Sequence, residues 1–191
     1  MDRIFFRKRH EDESALRRFA HEASYISDRS TLLDRAAQTV NEHTSAQDAA
    51  ILVRESASVY TFATGGPQAQ VGEDDPGIVT LRAWNKPIDL HLFPDSRLRG
   101  EFAFPMISRG NLVGVLVCGP KRDGEAYAPD ESEALAALAH GVGTALDTLS
   151  NRNDSIIASM QEMQALMLQE LQGLSHAIAS ALREKTGRDS P

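Results

Sequence analysis

The chain has 191 residues, 41% of them apolar, a net charge of −7 and a single cysteine. That length suits one domain with an appendage, and the apolar share is enough for a core. The acidic, mixed charge argues against a general nucleic-acid binder. The chain lacks an uninterrupted apolar run of membrane-spanning length, and one cysteine allows no internal disulfide and fits a reducing cytoplasm.

The first ten residues set Arg3, Arg7, Lys8 and Arg9 around Ile4-Phe5-Phe6. Two readings stay open: a frayed basic terminus, or the cytoplasmic flank of a membrane segment upstream in a longer parent protein. From Asp12 to Ile26 the apolar positions Leu16, Phe19, Ala23 and Ile26 form one helical stripe. The Ser27–Ser30 segment interrupts it. Ser30 is expected to cap a second helix over Thr31–His43 with Leu32, Leu33, Ala36, Ala37 and Val40 inward.

Ala49–Val53 and Val59–Ala63 flank the polar turn Ser56-Ala57-Ser58 and predict a β-hairpin, stopped by Gly65-Gly66-Pro67. Residues 64–100 are less regular. Asp74-Asp75-Pro76 opens a short helix to Trp84, Ile88–Leu92 alternates like a strand, and Pro94–Gly100 is a loop. A second hairpin pairs Glu101–Ile107 with Leu112–Cys118 across Ser108-Arg109-Gly110-Asn111. Leu112–Val117 is apolar on both faces, as a central strand should be. Pro105 lacks an amide donor, which predicts a bulge or a free edge there.

Pro129–Glu133 starts a helix, with Asp130 as cap and Glu133 completing a capping box. Leu135, Leu138, Val142, Leu146 and Leu149 make its apolar stripe. Ala137, Gly141 and Ala145 make a second stripe of small residues, with two readings open: a place where another helix approaches closely, or an incidental alanine-rich surface. After a break at Ser150–Asn153, a last helix is expected over Asp154–Lys185. Its apolar residues Ile156, Met160, Met163, Met167, Leu171, Leu174, Ile178 and Leu182 recur at a mean spacing nearer a straight helix than a strict heptad. Such a helix needs its own domain, a twin chain or a partner to cover its stripe. Its three methionines make that surface adaptable.

The order of elements gives an α+β arrangement with a central antiparallel sheet. That order resembles the GAF family, as do Phe104-Pro105-Met106-Ile107, the stretch Gly110–Leu116 and Tyr127-Ala128-Pro129-Asp130-Glu131. The resemblance covers roughly residues 30–150. It implies N- and C-terminal helices packed on one face of the sheet, with residues 1–29 as a basic segment and linker helix. Residues 151–191 then form a C-terminal amphipathic helix and tail. It implies a cytoplasmic sensory or regulatory module, with the inner face of a membrane as an alternative location. Such a module is often dimeric through its terminal helices and has no catalytic role. A ligand would lie between the sheet and the irregular crossover of residues 64–100, near Tyr60, Phe62, Trp84, His91, Arg97, Phe102 and Phe104, although aromatics also simply fill cores.

The family's ligand signatures fail in turn. Asn85-Lys86 and Phe93 lack the following Asp-Glu pair of the cyclic-nucleotide-binding branch. Cys118 sits in a predicted central strand rather than where a bilin would attach. The branch that reduces free methionine sulfoxide uses several cysteines, and thiol exchange needs both an attacking and a resolving thiol. No Gly-x-Ser-x-Gly elbow and no Gly-rich phosphate loop occurs. None of His10, His21, His43, His91, His140 and His176 has ligand-like spacing to another His or Cys. His176 lies in a helical stretch faintly like a phosphoacceptor box, without the residues that usually follow one. Two further readings stay open: an adaptor whose Met-rich C-terminal helix over residues 154–185 binds a signalling protein without any small ligand, and a remnant of a sensor histidine kinase.

Overall fold

The computed structural model describes residues 2–56, 58–66 and 69–186, with side chains described from residue 9 to residue 183. Met1, Ala57, Pro67 and the basic and aromatic side chains of the first eight residues lie outside the described residues, as does the side chain of Lys185. Two helices come first, α1 (Asp2–Glu22) and α2 (Arg29–Thr44). They are followed by β1 (Ala49–Arg54), β2 (Val59–Thr64), β3 (Gln70–Gly72), α3 (Pro76–Trp84) and β4 (Ile88–Asp89). The chain ends with β5 (Phe102–Ser108), β6 (Asn111–Cys118) and α4 (Pro129–Thr186). The six strands form one antiparallel sheet in the order β3-β2-β1-β6-β5-β4.

Two compact units divide the chain, residues 1–149 and 150–191. Within the first, the sheet is covered on both faces. On one face α1, α2 and the first five turns of α4 pack against Ile51, Val53, Phe104, Met106, Leu116 and Cys118. On the other, α3 and the crossover pack against Leu52, Tyr60, Ala103, Leu112, Val115 and Val117. The expected α+β fold, with terminal helices sharing one face, is what the structure shows. β6 lies between β1 and β5, which explains a run apolar on both faces.

Local chemistry sets the turns. Arg109 and Gly110 both have positive φ (49° and 78°), the conformation of a two-residue hairpin turn whose twist matches the flanking strands. The pairing of β5 with β6 shifts between Met106 and Ile107, because Val113 is an extra residue on β6 between Leu112 and Gly114. This bulge stands near Pro105, as expected, but on the partner strand. Pro105 itself pairs with Val115, and among the described residues no strand pairs with its other edge, since β4 pairs with Phe102 and Ala103. Gly141 shows why the small-residue stripe exists: a Cβ there would run into the backbone carbonyl of Ala20 and lie 2.9 Å from its Cα.

Several expectations need correction. α1 begins at Asp2 rather than Asp12. Asp28, not Ser30, caps α2: its Oδ2 accepts from the Thr31 amide (2.7 Å) and from the Ser30 and Thr31 hydroxyls. β3 was hidden in a stretch of turn formers; only Val71 of its three residues is buried. The alternation at Ile88–Leu92 gives two strand residues and then a 3-10 turn, Leu90–Leu92, held by the Asp89 carboxylate on the His91 amide. α4 starts at Pro129, where Glu131 rather than Glu133 accepts from the Ala128 amide (3.3 Å). Its polar stretch Ser150–Asn153 makes no break: the residues are exposed, none is Gly or Pro, and the helix continues through them to Thr186.

Candidate functional site

The sheet and its bulges decide where the sequence-predicted site residues go. Tyr60 and Phe62 of β2 share the layer beneath α3. Tyr60 is fully buried and its hydroxyl donates to the Leu112 carbonyl (3.1 Å); burial raises its phenol pKa. Phe104 is buried in the opposite layer, next to Phe102, whose ring meets Tyr127 edge-on at 5.6 Å. Trp84, at the end of α3, is 63% exposed. His91 is exposed with Nδ1 2.9 Å from the Asp89 carboxylate, and Arg97 is an exposed loop residue. The structure therefore brings Tyr60 and Phe62 together, sets Phe104 across the sheet from them, and leaves Trp84, His91 and Arg97 at the surface.

Beside the Tyr60 layer lies a buried carboxylate that sequence reading took only for a helix start. Asp75 caps α3 through the Gly77 amide (2.9 Å) and also accepts from the Ser96 hydroxyl and the Arg97 amide, both at 2.6 Å. One carboxylate thus fastens the start of α3 to the loop before β5. The signal was present in Asp75-Pro76, but its partners Ser96 and Arg97 stand 21 and 22 residues away.

A second feature escaped the sequence entirely. A cavity of about 660 Å³ opens between α1, the end of α2 and the segment joining β6 to α4. None of the sequence-predicted site residues lines it. Lys121 and Glu131 form an ion pair at 2.6 Å with side chains only 10% and 8% exposed. The Lys121 ammonium also sits 5.2 Å from the centre of the Tyr127 ring. Tyr127 donates to the Gly119 carbonyl (2.6 Å), and burial pushes its phenol well above the usual range. At the cavity wall His43 Nδ1 lies 2.7 Å from Asp12 and ties α2 to α1. Tyr127 and Glu131 appear in the sequence as the entry to a helix, and nothing in their spacing points to Lys121 or His43.

Cys118 is fully buried, and burial raises its thiol pKa well above the ordinary value. It is thus held as the unreactive thiol. Among the described residues no group of three or more His, Cys, Asp or Glu side chains is placed to hold a metal ion. Among them, too, no helix is long and apolar enough to cross a membrane.

The model of the GAF domain matches residues 28–146, more than half of the chain. The chain belongs to the GAF domain family. Solved structures agree on the fold. The GAF domain of a phosphoenolpyruvate-protein phosphotransferase from Coxiella burnetii superposes with a TM-score of 0.63 at 16% identity, covering 76% of this chain and 98% of that one. A GAF domain/HD domain protein from Geobacter sulfurreducens gives 0.56 at 14%, with 67% and 97% covered. The free methionine-R-sulfoxide reductase of Neisseria meningitidis, solved with its substrate, gives 0.57 at 17%, with 76% and 93% covered. No curated protein sequence matches the chain. GAF domains generally act as sensory or regulatory modules, and the scaffold described here is theirs.

Proposed function

We propose that this GAF domain is a non-catalytic regulatory module that works as a homodimer joined through its terminal helices, chiefly the part of α4 beyond Leu149. One observation carries the reading. Eleven large apolar side chains between Ile156 and Leu182 are each 53–66% exposed on that helix. An apolar surface of this extent marks an interaction site. The buried thiol of Cys118 supports the non-catalytic part, since the chain has no second cysteine for thiol exchange. A small-molecule input remains part of the proposal, with the layer under α3 around Tyr60 and Phe62 as its place.

Light scattering on the full chain tests the dimer. The parent is expected at twice the chain mass, and the double substitution Met167→Asp/Leu171→Asp at one chain mass, with an unchanged circular dichroism melt for the first unit. A parent that stays at one chain mass at the highest soluble concentration overturns the reading. It assigns the exposed stripe to another protein, as an adaptor would use it.

A further inference from the structure

We infer that the part of α4 beyond Leu149 pairs with the same segment of a second copy, parallel and in register, on an 11-residue apolar repeat. The inference rests on the dimer proposed above and specifies its partner, its frame and its direction.

The frame comes from the spacing of the exposed residues. Ile156, Met160 and Met163 recur as Met167, Leu171 and Leu174, and again as Ile178 and Leu182, each set 11 positions after the last. Eleven residues over three turns is about 3.67 per turn, close to the 3.6 of a straight helix and on the side of a slight right-handed supercoil. A 7-residue frame through Met160, Met167 and Leu174 fits less well. Its alternate positions would be Ile157, Gln164, Leu171 and Ile178, and Ala181 would follow Leu174. That frame puts a glutamine in the contact line and leaves Met163 and Leu182 outside it. A polar side chain buried there lowers stability. In the 11-residue frame every contact position from Ile156 to Leu182 is apolar; Arg152 and Lys185 occupy the positions at its two ends, and Ile157, Leu166 and Leu168 lie outside it.

Charge selects the occupant and the direction. Between Ser155 and Leu182 the only Asp, Glu, Lys or Arg residues are Glu162 and Glu170. A helix with so few charges carries little to repel an identical copy and little to attract an oppositely charged partner. In the 11-residue frame Glu170 borders the stripe on the side of Ser159 and Ala181, while Gln164 and Ser175 border it on the other. In a parallel pair each border faces the opposite border of the second copy. Glu170 then meets the second copy's Gln164 and Ser175, both hydrogen-bond donors. An antiparallel pair that sets Ile156 opposite Leu182 brings like borders together, so the two Glu170 carboxylates come within two residues of each other. Like charges so placed are destabilising.

Disulfide trapping in the full chain tests frame and direction together. Met163→Cys and Gln164→Cys are made singly; Cys118 is buried in the parent, which serves as the control. Under mild oxidation Met163→Cys is expected to link two copies on the order of tenfold faster than Gln164→Cys, because a disulfide needs Cα atoms within about 7 Å. Faster linking by Gln164→Cys overturns the 11-residue frame while the dimer stands. Linking only by the double variant Met163→Cys/Leu174→Cys shows an antiparallel pair and overturns the direction, again with the dimer intact. No linking in any variant, with light scattering at one chain mass, overturns both this inference and the dimer. No linking at two chain masses places the dimer elsewhere and overturns the inference.

Discussion

Helix α4 carries two apolar stripes with opposite surroundings. Leu135, Leu138, Val142, Leu146 and Leu149 recur at helical spacing and are at most 9% exposed, packed in the layer that also holds Phe104 and Met106. Met160, Met167, Leu171 and Leu174 recur in the same way and are 57–61% exposed. Periodicity tells which side of a helix wants to leave water; it does not tell what will cover it. The first unit answers that need within one chain, and the second does not. The difference separates the part of the molecule that is scaffold from the part expected to make contacts.

Truncating one large apolar residue in each unit is the sharpest way to break this comparison. Phe104 is fully buried against its layer, so Phe104→Ala is expected to cost about 3–5 kcal/mol and to lower or abolish the cooperative melt. Leu171→Ala removes a side chain that is 57% exposed. It should leave the melt of the first unit where it was and act only on the concentration dependence of association. If Leu171→Ala lowers the melt of a dilute, monomeric sample as much as Phe104→Ala does, the division between scaffold and contact surface fails.

The pair Lys121–Glu131 sharpens the comparison from the polar side. It is the ion pair with the most deeply buried side chains in the first unit among the described residues. Lys121→Met leaves the Glu131 carboxylate buried without its cation, at an expected loss of about 3–5 kcal/mol. Lys121→Met/Glu131→Leu removes both charges and should recover much of that loss, short of the Ala128 amide bond that Glu131 accepts. Denaturant titration of the three chains measures it. A double variant no more stable than the single one would show that the pair holds the segment joining β6 to α4 by more than charge compensation.

Most of the scaffold was legible because its signals are local. The apolar run Leu112–Val117, the Arg109-Gly110 turn and the stripes of α2 and α4 each announce themselves within a few residues. What was not legible depends on distant partners. β3 and β4 are too short to show a period and exist because β2 and β5 hold them. The site residues chosen by type came apart because strand phase cannot be carried from one strand to the next without the register. Ala63 is an extra residue on β2, as Val113 is on β6, and each shifts the alternation by one. The cavity is built from α1, the end of α2 and residues 121–131, three separate segments with no common motif.

The smallest expected effect lies at the entry to α2, where the whole interaction is local and solvent-exposed. Hydrogen bonds from the Thr31 hydroxyl and amide, then from Ser30, hold the Asp28 pKa below its ordinary 3.8. The folded value is the lower one, so the ionised cap favours the fold above the unfolded value and this contribution fades as pH falls through the folded value. Asp28→Asn keeps an accepting cap but does not titrate. Its melting temperature should therefore run parallel to the parent's near neutrality, and the gap between the two should close or reverse below pH 3.8. Asp28→Ala should melt lower than both near neutrality, because α2 then begins with the Thr31 amide uncapped. The shift is small beside that of Phe104→Ala because water already solvates this carboxylate. An Asp28→Asn chain whose melt tracks the parent's at every pH would mean that the capping carboxylate contributes through its shape alone and not through its charge.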